Sequence, residues 1–218
     1  VVHLVSTDLG FQTEHIVRAR IALPNRTYPD EKAFQQFYAR LQEQLTAKTN
    51  APFALTNSIP FYEFPLLGFE VDQATNENRN AAVIAVSEGY FDLLDIRLAQ
   101  GRAFTAVDRD GAEPVAIISE TLARRLWPNS SAIGQRIRPA EQSDRNVRSV
   151  WRTIVGVARD VRQTPMDVEL NDIYLPFLQT PSRYAPLYFR TQQPPSVWLE
   201  TLRATVAVPS KASPALPT

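Results

Sequence analysis

The 218-residue chain contains no cysteine, which excludes disulfides, thiolate zinc sites, iron–sulfur clusters and cysteine nucleophiles together. Histidine is nearly absent too, with only His3 and His15, both near the N-terminus. A Ser-His-Asp triad needs one of them, and no G-x-S-x-G turn is present. Their separation is not helical ligand spacing, so neither points to a transition-metal site. No run approaches the ~18–20 apolar residues of a membrane helix. No basic segment followed by an apolar one marks a signal peptide. The 23 basic and 23 acidic side chains cancel, so no global field recruits nucleic acid. Neither G-x-x-x-x-G-K-[ST] nor G-x-G-x-x-G occurs, which leaves no readable phosphate cradle. Met166 is the only methionine. Val1 is therefore not a natural start, and the chain reads as a fragment whose targeting or membrane segments would lie outside it.

What is there is an ordinary folded composition, 44% hydrophobic and 21% charged, long enough for one large domain or two small ones. Residues 97–162 carry 12 basic and 7 acidic side chains and residues 1–96 carry 7 and 12. That spread reads as solvated arginine surface, since a nucleic-acid footprint is more concentrated. Alternation over His15–Leu23 predicts a strand. Pro29 and Asp30 then open a helix, with Phe34, Phe37, Tyr38, Leu41 and Leu45 on one apolar stripe. Asn50 ends that helix, and Phe53–Ile59 gives a returning strand. Residues 62–80 carry no clear signal, and Asp72–Asn80 reads as an exposed loop.

Ala81–Val86 predicts a buried strand, and Ser87 is placed to cap a short helix over Glu88–Leu94. Arg102 can pair with Asp108 across a turn in which Thr105 and Asp108 form an imperfect capping box. Val115–Ile118 predicts a strand and Ser119 caps a helix that Trp127-Pro128 ends. Gln135–Arg138 predicts another strand, followed by a polar hairpin or loop over Glu141–Arg148. Arg152–Val161 reads as a long strand, with Gly156 marking a bulge or a close approach. Asp172–Leu178 and Pro186–Thr191 are further strands, and Pro194–Val206 is a last helix. The predicted fold class is α+β, built from short elements.

The residues offer little chemistry. Asp92/Asp95 and Asp108/Asp110 are close in sequence, but Asp108–Gly111 lacks the alternating ligands and distal Glu of a calcium loop and reads as a solvated turn. The sequons at Asn25-Arg26-Thr27 and Asn129-Ser130-Ser131 are of a kind frequent by chance. Trp127, Trp151 and Trp198 are scattered and read as core. The expectation is a domain with no catalytic, cofactor-binding or metal-binding residues, and not an enzyme.

A series of ordered blocks carries more. Residues 86–96 (VSEGYFDLLDI) and 98–104 (LAQGRAF) are followed by Asp108, then by 114–120 (PVAIISE) and 122–128 (LARRLWP). Residues 133–137 (IGQRI), 151–162 (WRTIVGVARDVR) and 173–176 (IYLP) complete the set. Together they resemble the periplasmic core domain of MacB-like ABC transporter permeases, within the FtsX-like superfamily. The wording is most similar to the duplicated orphan permeases of acidobacterial type.

The resemblance covers about residues 11–207 and implies a domain on the periplasmic side of the bacterial inner membrane, between two membrane helices of an integral membrane parent. It implies a discontinuous porter-like subdomain, 11–61 plus 183–208, with a sabre-like mixed α/β subdomain inserted at 62–182. Residues 1–10 and 209–218 would be flanking ends near the membrane helices.

The implied function is mechanotransmission. A separate cytoplasmic ATPase subunit uses ATP, and the domain passes the motion to efflux or extraction of a substrate, with no cofactor of its own. The implied partners are a second permease copy or half, the ATPase and a periplasmic adaptor, with no nucleic acid. The alternative is an extracytoplasmic module regulating a partner such as a cell-wall hydrolase. The sequence departs from the family pattern at Thr49-Asn50-Ala51-Pro52, where Gly-Val is usual. Residues 62–80 match poorly, and the strand expected to complete the porter sheet is not recognisable.

Overall fold

The computed structural model describes residues 3–4, 16–49, 51–58, 66–72, 79–142, 147–160, 171–191 and Leu202. In chain order its elements are β1 (His3–Leu4), β2 (Ile16–Ala22), α1 (Glu31–Lys48), β3 (Phe53–Leu55), β4 (Leu66–Val71), β5 (Asn80–Val86), α2 (Tyr90–Leu93), β6 (Leu98–Gly101), β7 (Val115–Ser119), α3 (Glu120–Leu126), β8 (Arg136–Pro139), β9 (Arg152–Ala158), β10 (Asp172–Pro176) and β11 (Tyr184–Arg190), with a 3-10 turn at Phe177–Gln179. The fold is α+β, as the sequence predicts.

The first sheet is antiparallel, in the order β1-β2-β11-β3. Helix α1 covers one face. Asp30 caps it by accepting from the Ala33 N–H at 2.8 Å, which satisfies one of the donors that a helix start leaves open. Phe37, Tyr38, Leu41 and Leu45 are buried against Ala19, Ile21, Leu187 and Phe189. Edge-to-face contacts link Tyr28 to Phe37, Phe37 to Tyr38, and Tyr38 to Phe177, with centroids 4.9–5.2 Å apart. The helix stops at Thr49, whose N–H donates to the Leu45 carbonyl. The predicted terminator Asn50 lies outside the described residues. So does the predicted helix 194–206 except at Leu202, which is helical and buried in this core.

Pro186 sits within β11, a strand paired on both sides, where a proline is unusual. Its carbonyl accepts from Thr56 N at 3.1 Å, so its polar edge faces β3 just beyond the point where that strand ends. The missing N–H therefore falls at the end of the ladder.

The second sheet runs β6-β9-β7-β10-β5-β4-β8. Strands β5 and β10 are parallel, as are β7 and β9. Strand β8 pairs with β4 on one side and with the start of β9 on the other, so the sheet curls until it closes on itself. Both faces of β5 and β7 are buried, which explains their unbroken apolar runs. On one face Val83, Ile118, Ile173 and Leu175 pack with Leu122 and Ala123 of α3. Ser119 caps α3 as predicted, its hydroxyl accepting from Leu122 N.

Opposite β7, strand β9 holds one extra residue, Val155, between Ile154 and Gly156. A Cβ on Gly156 would meet the Arg102 carbonyl oxygen at 2.5 Å. The predicted bulge and the predicted close approach are both present here.

Several expectations need correction. Leu66–Val71 is a strand, β4, although residues 62–80 gave no signal. The strand read as Phe53–Ile59 is three residues long: Thr56 still donates to Pro186 of the first sheet but also bridges Val86, and Asn57 pairs with Ala85 of the second sheet; Ile59 lies outside the described residues. Strand β11 begins at Tyr184, two residues before the prediction. Strand β9 ends at Ala158 rather than Val161. Ser87 does not cap α2, whose N-cap is Gly89; its hydroxyl accepts from Leu55 N instead. Arg152 is 1% exposed, so the arginines of this region are not uniformly solvated surface.

Candidate functional site

The two sheets meet at a joint built from backbone and core together. At the ends of β3 and β5, Ser87 N donates to Leu55 O at 2.9 Å and Asn57 N donates to Ala85 O at 3.1 Å. Two side chains complete the seam: the Ser87 hydroxyl accepts from Leu55 N, and Asn57 Oδ1 accepts from Ala85 N, both at 2.9 Å. These four bonds continue strand pairing from one sheet into the other. They hold buried donors and acceptors that would be expensive to leave unmade.

A shared core lies beside the seam. Ala54 and Tyr188 from the first sheet are buried in one cluster with Tyr90, Phe91 and Leu93 of α2 and with Ile84, Ile117 and Tyr174 of the second sheet. Tyr90, Phe91 and Tyr174 pack as a ring cluster with centroids 5.2–6.1 Å apart. Each such side chain contributes roughly 1.5–3 kcal/mol through burial, so separating the sheets would expose several at once. Burial pushes the Tyr188 hydroxyl up to about 12, against the opposing charge of Arg18. Gly89 lets the turn before α2 approach β3, because a Cβ there would stand 2.4 Å from Phe53 O. At the rim, Arg190 donates to Leu93 O at 2.5 Å and to Asp95 Oδ2 at 2.9 Å. Asp95 has φ +56°.

A second constellation stiffens the loop after β6. Arg102 donates both terminal nitrogens to Asp108, at 2.7 and 2.9 Å, and Thr105 N donates to the same carboxylate at 2.8 Å. The predicted pair and the predicted Thr105–Asp108 contact both form, and no helix follows them. Burial pushes the Asp108 pKa up, but the Arg102 and Thr105 hydrogen bonds outweigh it and hold the carboxyl below its ordinary value. Asp108 is 6% exposed, so it is the one buried member of the turn Asp108–Gly111, whose other three residues are solvent-exposed as expected.

The third constellation is centred on Gln179. Its Oε1 accepts from Arg152 Nη1 at 3.0 Å, and its Nε2 donates to Glu113 O at 3.0 Å. Its own carbonyl accepts from Arg148 at 3.2 Å. Arg152 Nε has no partner among the described residues. Burial, with the nearby Arg148 charge acting the same way, brings the Arg152 pKa down to about 10.

The remaining candidates are dispersed. His3 lies in β1 and His15 outside the described residues. Among the described residues no group of three or more His, Cys, Asp or Glu side chains is placed to hold a metal. No described helix is long and apolar enough to cross a membrane. Trp127 packs on the core of the second sheet. Trp151 instead stacks between Arg136 and Arg138, at 5.4 and 4.8 Å, which corrects its reading as core. Trp198 lies outside the described residues. The sequence did not single out Asn57, Gly89, Arg152 or Gln179. The available signal was that Gly89 and Arg152 fall inside the blocks at 86–96 and 151–162 that carry the family resemblance.

Comparison with known proteins places these elements. The family described as MacB-like periplasmic core domain matches residues 11–215. Two Bacillus subtilis (strain 168) relatives, the uncharacterized ABC transporter permeases YknZ and YvrN, are 27% and 29% identical over 105 residues. Those matches cover 46% and 48% of this chain, and 23% and 24% of the relatives. The matched part is thus about a quarter of their length. The periplasmic region of MacB from Actinobacillus actinomycetemcomitans shares the fold with TM-score 0.53 and 14% identity, over 88% of this chain and 84% of that one. The extracellular domain of the noncanonic ABC-type transporter YknZ from Gram-positive bacteria gives TM-score 0.53 and 15% identity, over 87% and 92%.

Proposed function

The chain belongs to the MacB-like periplasmic core domain family, and on that premise we propose that it is the extracytoplasmic domain of an ABC transporter permease. In this reading the parent is anchored in the membrane, and a separate cytoplasmic ATPase moves its helices. The domain then passes that motion to an exported substrate. Its partners are a second permease copy or half, the ATPase and a periplasmic adaptor. Residues 11–61 with 183–208 act as the porter-like part, and residues 62–182 as the inserted sabre-like part. Support comes from the sheet membership of the strands: β2, β3 and β11 belong to one sheet, and β4 through β10 to the other.

The observation that carries the reading is the joint. A part that relays force must not yield where its pieces meet, and here strand pairing and a shared aromatic core cross the boundary. In this reading a rotation imposed on β2 or β11 is handed to the second sheet across that joint. The chain is free of cysteine, so Val107→Cys at a 68%-exposed position gives a single reporter within this domain. In cells carrying the parent permease, a membrane-impermeant maleimide labels that cysteine without lysis if the domain is extracytoplasmic. Labelling only after lysis sinks the proposal. Ala54→Glu, which places a charge in the joint, is expected to leave ATPase activity in place while substrate movement falls.

A further inference from the structure

A cleft of ≈ 480 Å³ opens between α1 and the second sheet. One wall is the α1 face that carries Gln42 and Ala47, and the other is Phe104 with the turn closed by Arg102 and Asp108. Phe177 lines it too, together with Val86 and Pro176, which end the parallel neighbours β5 and β10. Crevices beyond the carboxyl ends of parallel strands are where α/β sheets place ligands. The volume is in the range of small-molecule sites.

Two polar groups on α1 are unaccounted for. Gln42 is 9% exposed, and its Nε2 is buried without a hydrogen-bond partner among the described residues. One helical turn earlier the Tyr38 hydroxyl is likewise buried and unpartnered, with its ring edge-to-face on Phe177. Buried donors are nearly always paired. The terminal amide torsion of glutamine is broad, so a turn about it can offer the Gln42 nitrogen to an acceptor in the cleft. The one buried carboxylate of the lining, Asp108, is already paired with Arg102, and the other charged lining residues, Glu43, Glu88 and Arg109, are exposed, so the buried part of the cleft calls for no charge.

We propose that this cleft binds a small, uncharged, largely apolar molecule bearing a carbonyl oxygen. Its apolar body lies against Phe104 and Phe177, and its carbonyl accepts from Gln42 Nε2. The inference rests on this chain's own residues and is independent of the permease reading.

The probe is 6-propionyl-2-(dimethylamino)naphthalene, an uncharged naphthalene ketone whose emission shifts to the blue in apolar surroundings. Titrated with the 218-residue chain, it is expected to give a saturable blue-shifted signal with one site per chain. Gln42→Leu removes the amide and keeps the apolar stem. It should weaken binding about three- to tenfold, the range of one lost hydrogen bond, without lowering the melting temperature. Ala47→Trp, at an exposed helix position, fills the mouth and should abolish saturable binding with an unchanged circular dichroism spectrum. Thr46→Trp on the same wall takes its place if that spectrum changes. The site is overturned if the unsubstituted chain shows no saturation, or if the filled cleft binds as before. Equal affinity in Gln42→Leu overturns the role of the amide.

Discussion

Gly89 and Phe53 meet backbone to backbone, a Cβ on the glycine falling 2.4 Å from the Phe53 carbonyl oxygen. That distance is too short for any side chain, and the obstacle is main chain held in strand β3, which cannot swing aside as a flexible side chain does. Gly89→Ala therefore has to push the start of α2 off the first sheet. A loss of about 1–3 kcal/mol is expected, the usual range for overpacking, measured by urea denaturation. An unchanged midpoint would mean that the joint yields locally and does not fix the two sheets.

The Arg102–Asp108 pair sets a pH dependence of definite sign. The Asp108 carboxyl lies below its ordinary value in the folded chain, so the folded chain binds this proton less tightly than the unfolded one. Its contribution is complete above the unfolded-state pKa near 4 and is lost as pH falls through the lower folded value. Asp108→Asn should be less stable at pH 7 by on the order of 1 kcal/mol, since Arg102 is 46% exposed and solvent screens the pair. Below pH 4 the gap between the two proteins should close. Parallel acid limbs in the two denaturation series would contradict this.

Arg152 and Gln179 make an asymmetric pair. A buried guanidinium whose partner is an amide rather than a carboxylate carries a desolvation burden. Arg152→Met removes that charge and is expected to leave stability at pH 7 unchanged or raised. Gln179→Leu leaves the charge buried without its acceptor and should cost about 1.5–3 kcal/mol, the range for a hydrogen bond to a charged group. The double variant should recover much of that loss. There is also an alkaline signature, because the folded value near 10 lies below the unfolded one. The unfolded chain holds the proton more tightly, so unsubstituted protein gains on Arg152→Met as pH rises through 10. A larger loss in Arg152→Met than in Gln179→Leu would show that the arginine stabilises on balance.

Local signals in the sequence were the readable ones. The stripe Phe37-Tyr38-Leu41-Leu45, the Ser119 cap and the Arg102–Asp108 turn each depend on residues within a few positions, and each forms. Strand β4 was not readable because Leu66–Val71 has little alternation, and its character comes from pairing with β5 and β8 far along the chain. The joint escaped for the same reason. Ser87 has the composition of a cap, but tertiary pairing with Leu55 takes its hydroxyl. Arg152 was read by its charge as surface, whereas its place opposite Ile137 at the closing seam of the second sheet decides its burial. Gln42 offered no signal at all, being a polar residue one position from an apolar stripe.

The α1 stripe gives a direct stability test. Phe37 is 6% exposed and touches the rings of Tyr28 and Tyr38. Phe37→Ala should cost about 3–5 kcal/mol, read from chemical denaturation. A loss under about 1 kcal/mol would mean that the helix is held chiefly by other contacts.

The last prediction concerns cooperativity. Two sheets joined by a flexible linker would melt separately, each with its own midpoint, because neither would lose buried surface when the other unfolds. Here Ala54 and Tyr188 from one sheet share a core with Tyr90, Phe91 and Tyr174 from the other, and the seam bonds between Leu55 and Ser87 belong to both. Unfolding either sheet exposes the aromatic cluster and strands the seam groups. Calorimetry of the 218-residue chain should therefore show one transition, with calorimetric and van't Hoff enthalpies in agreement. Ala54→Glu, which buries a charge in the shared core, should lower stability by several kcal/mol and either shift that single transition or split it in two. Amide exchange distinguishes the sheets: in the unsubstituted chain, amides of β11 and β10 should open with the same free energy. Two calorimetric transitions in the unsubstituted chain, or unequal opening energies in those two strands, would show that force applied to one sheet can be absorbed before it reaches the other.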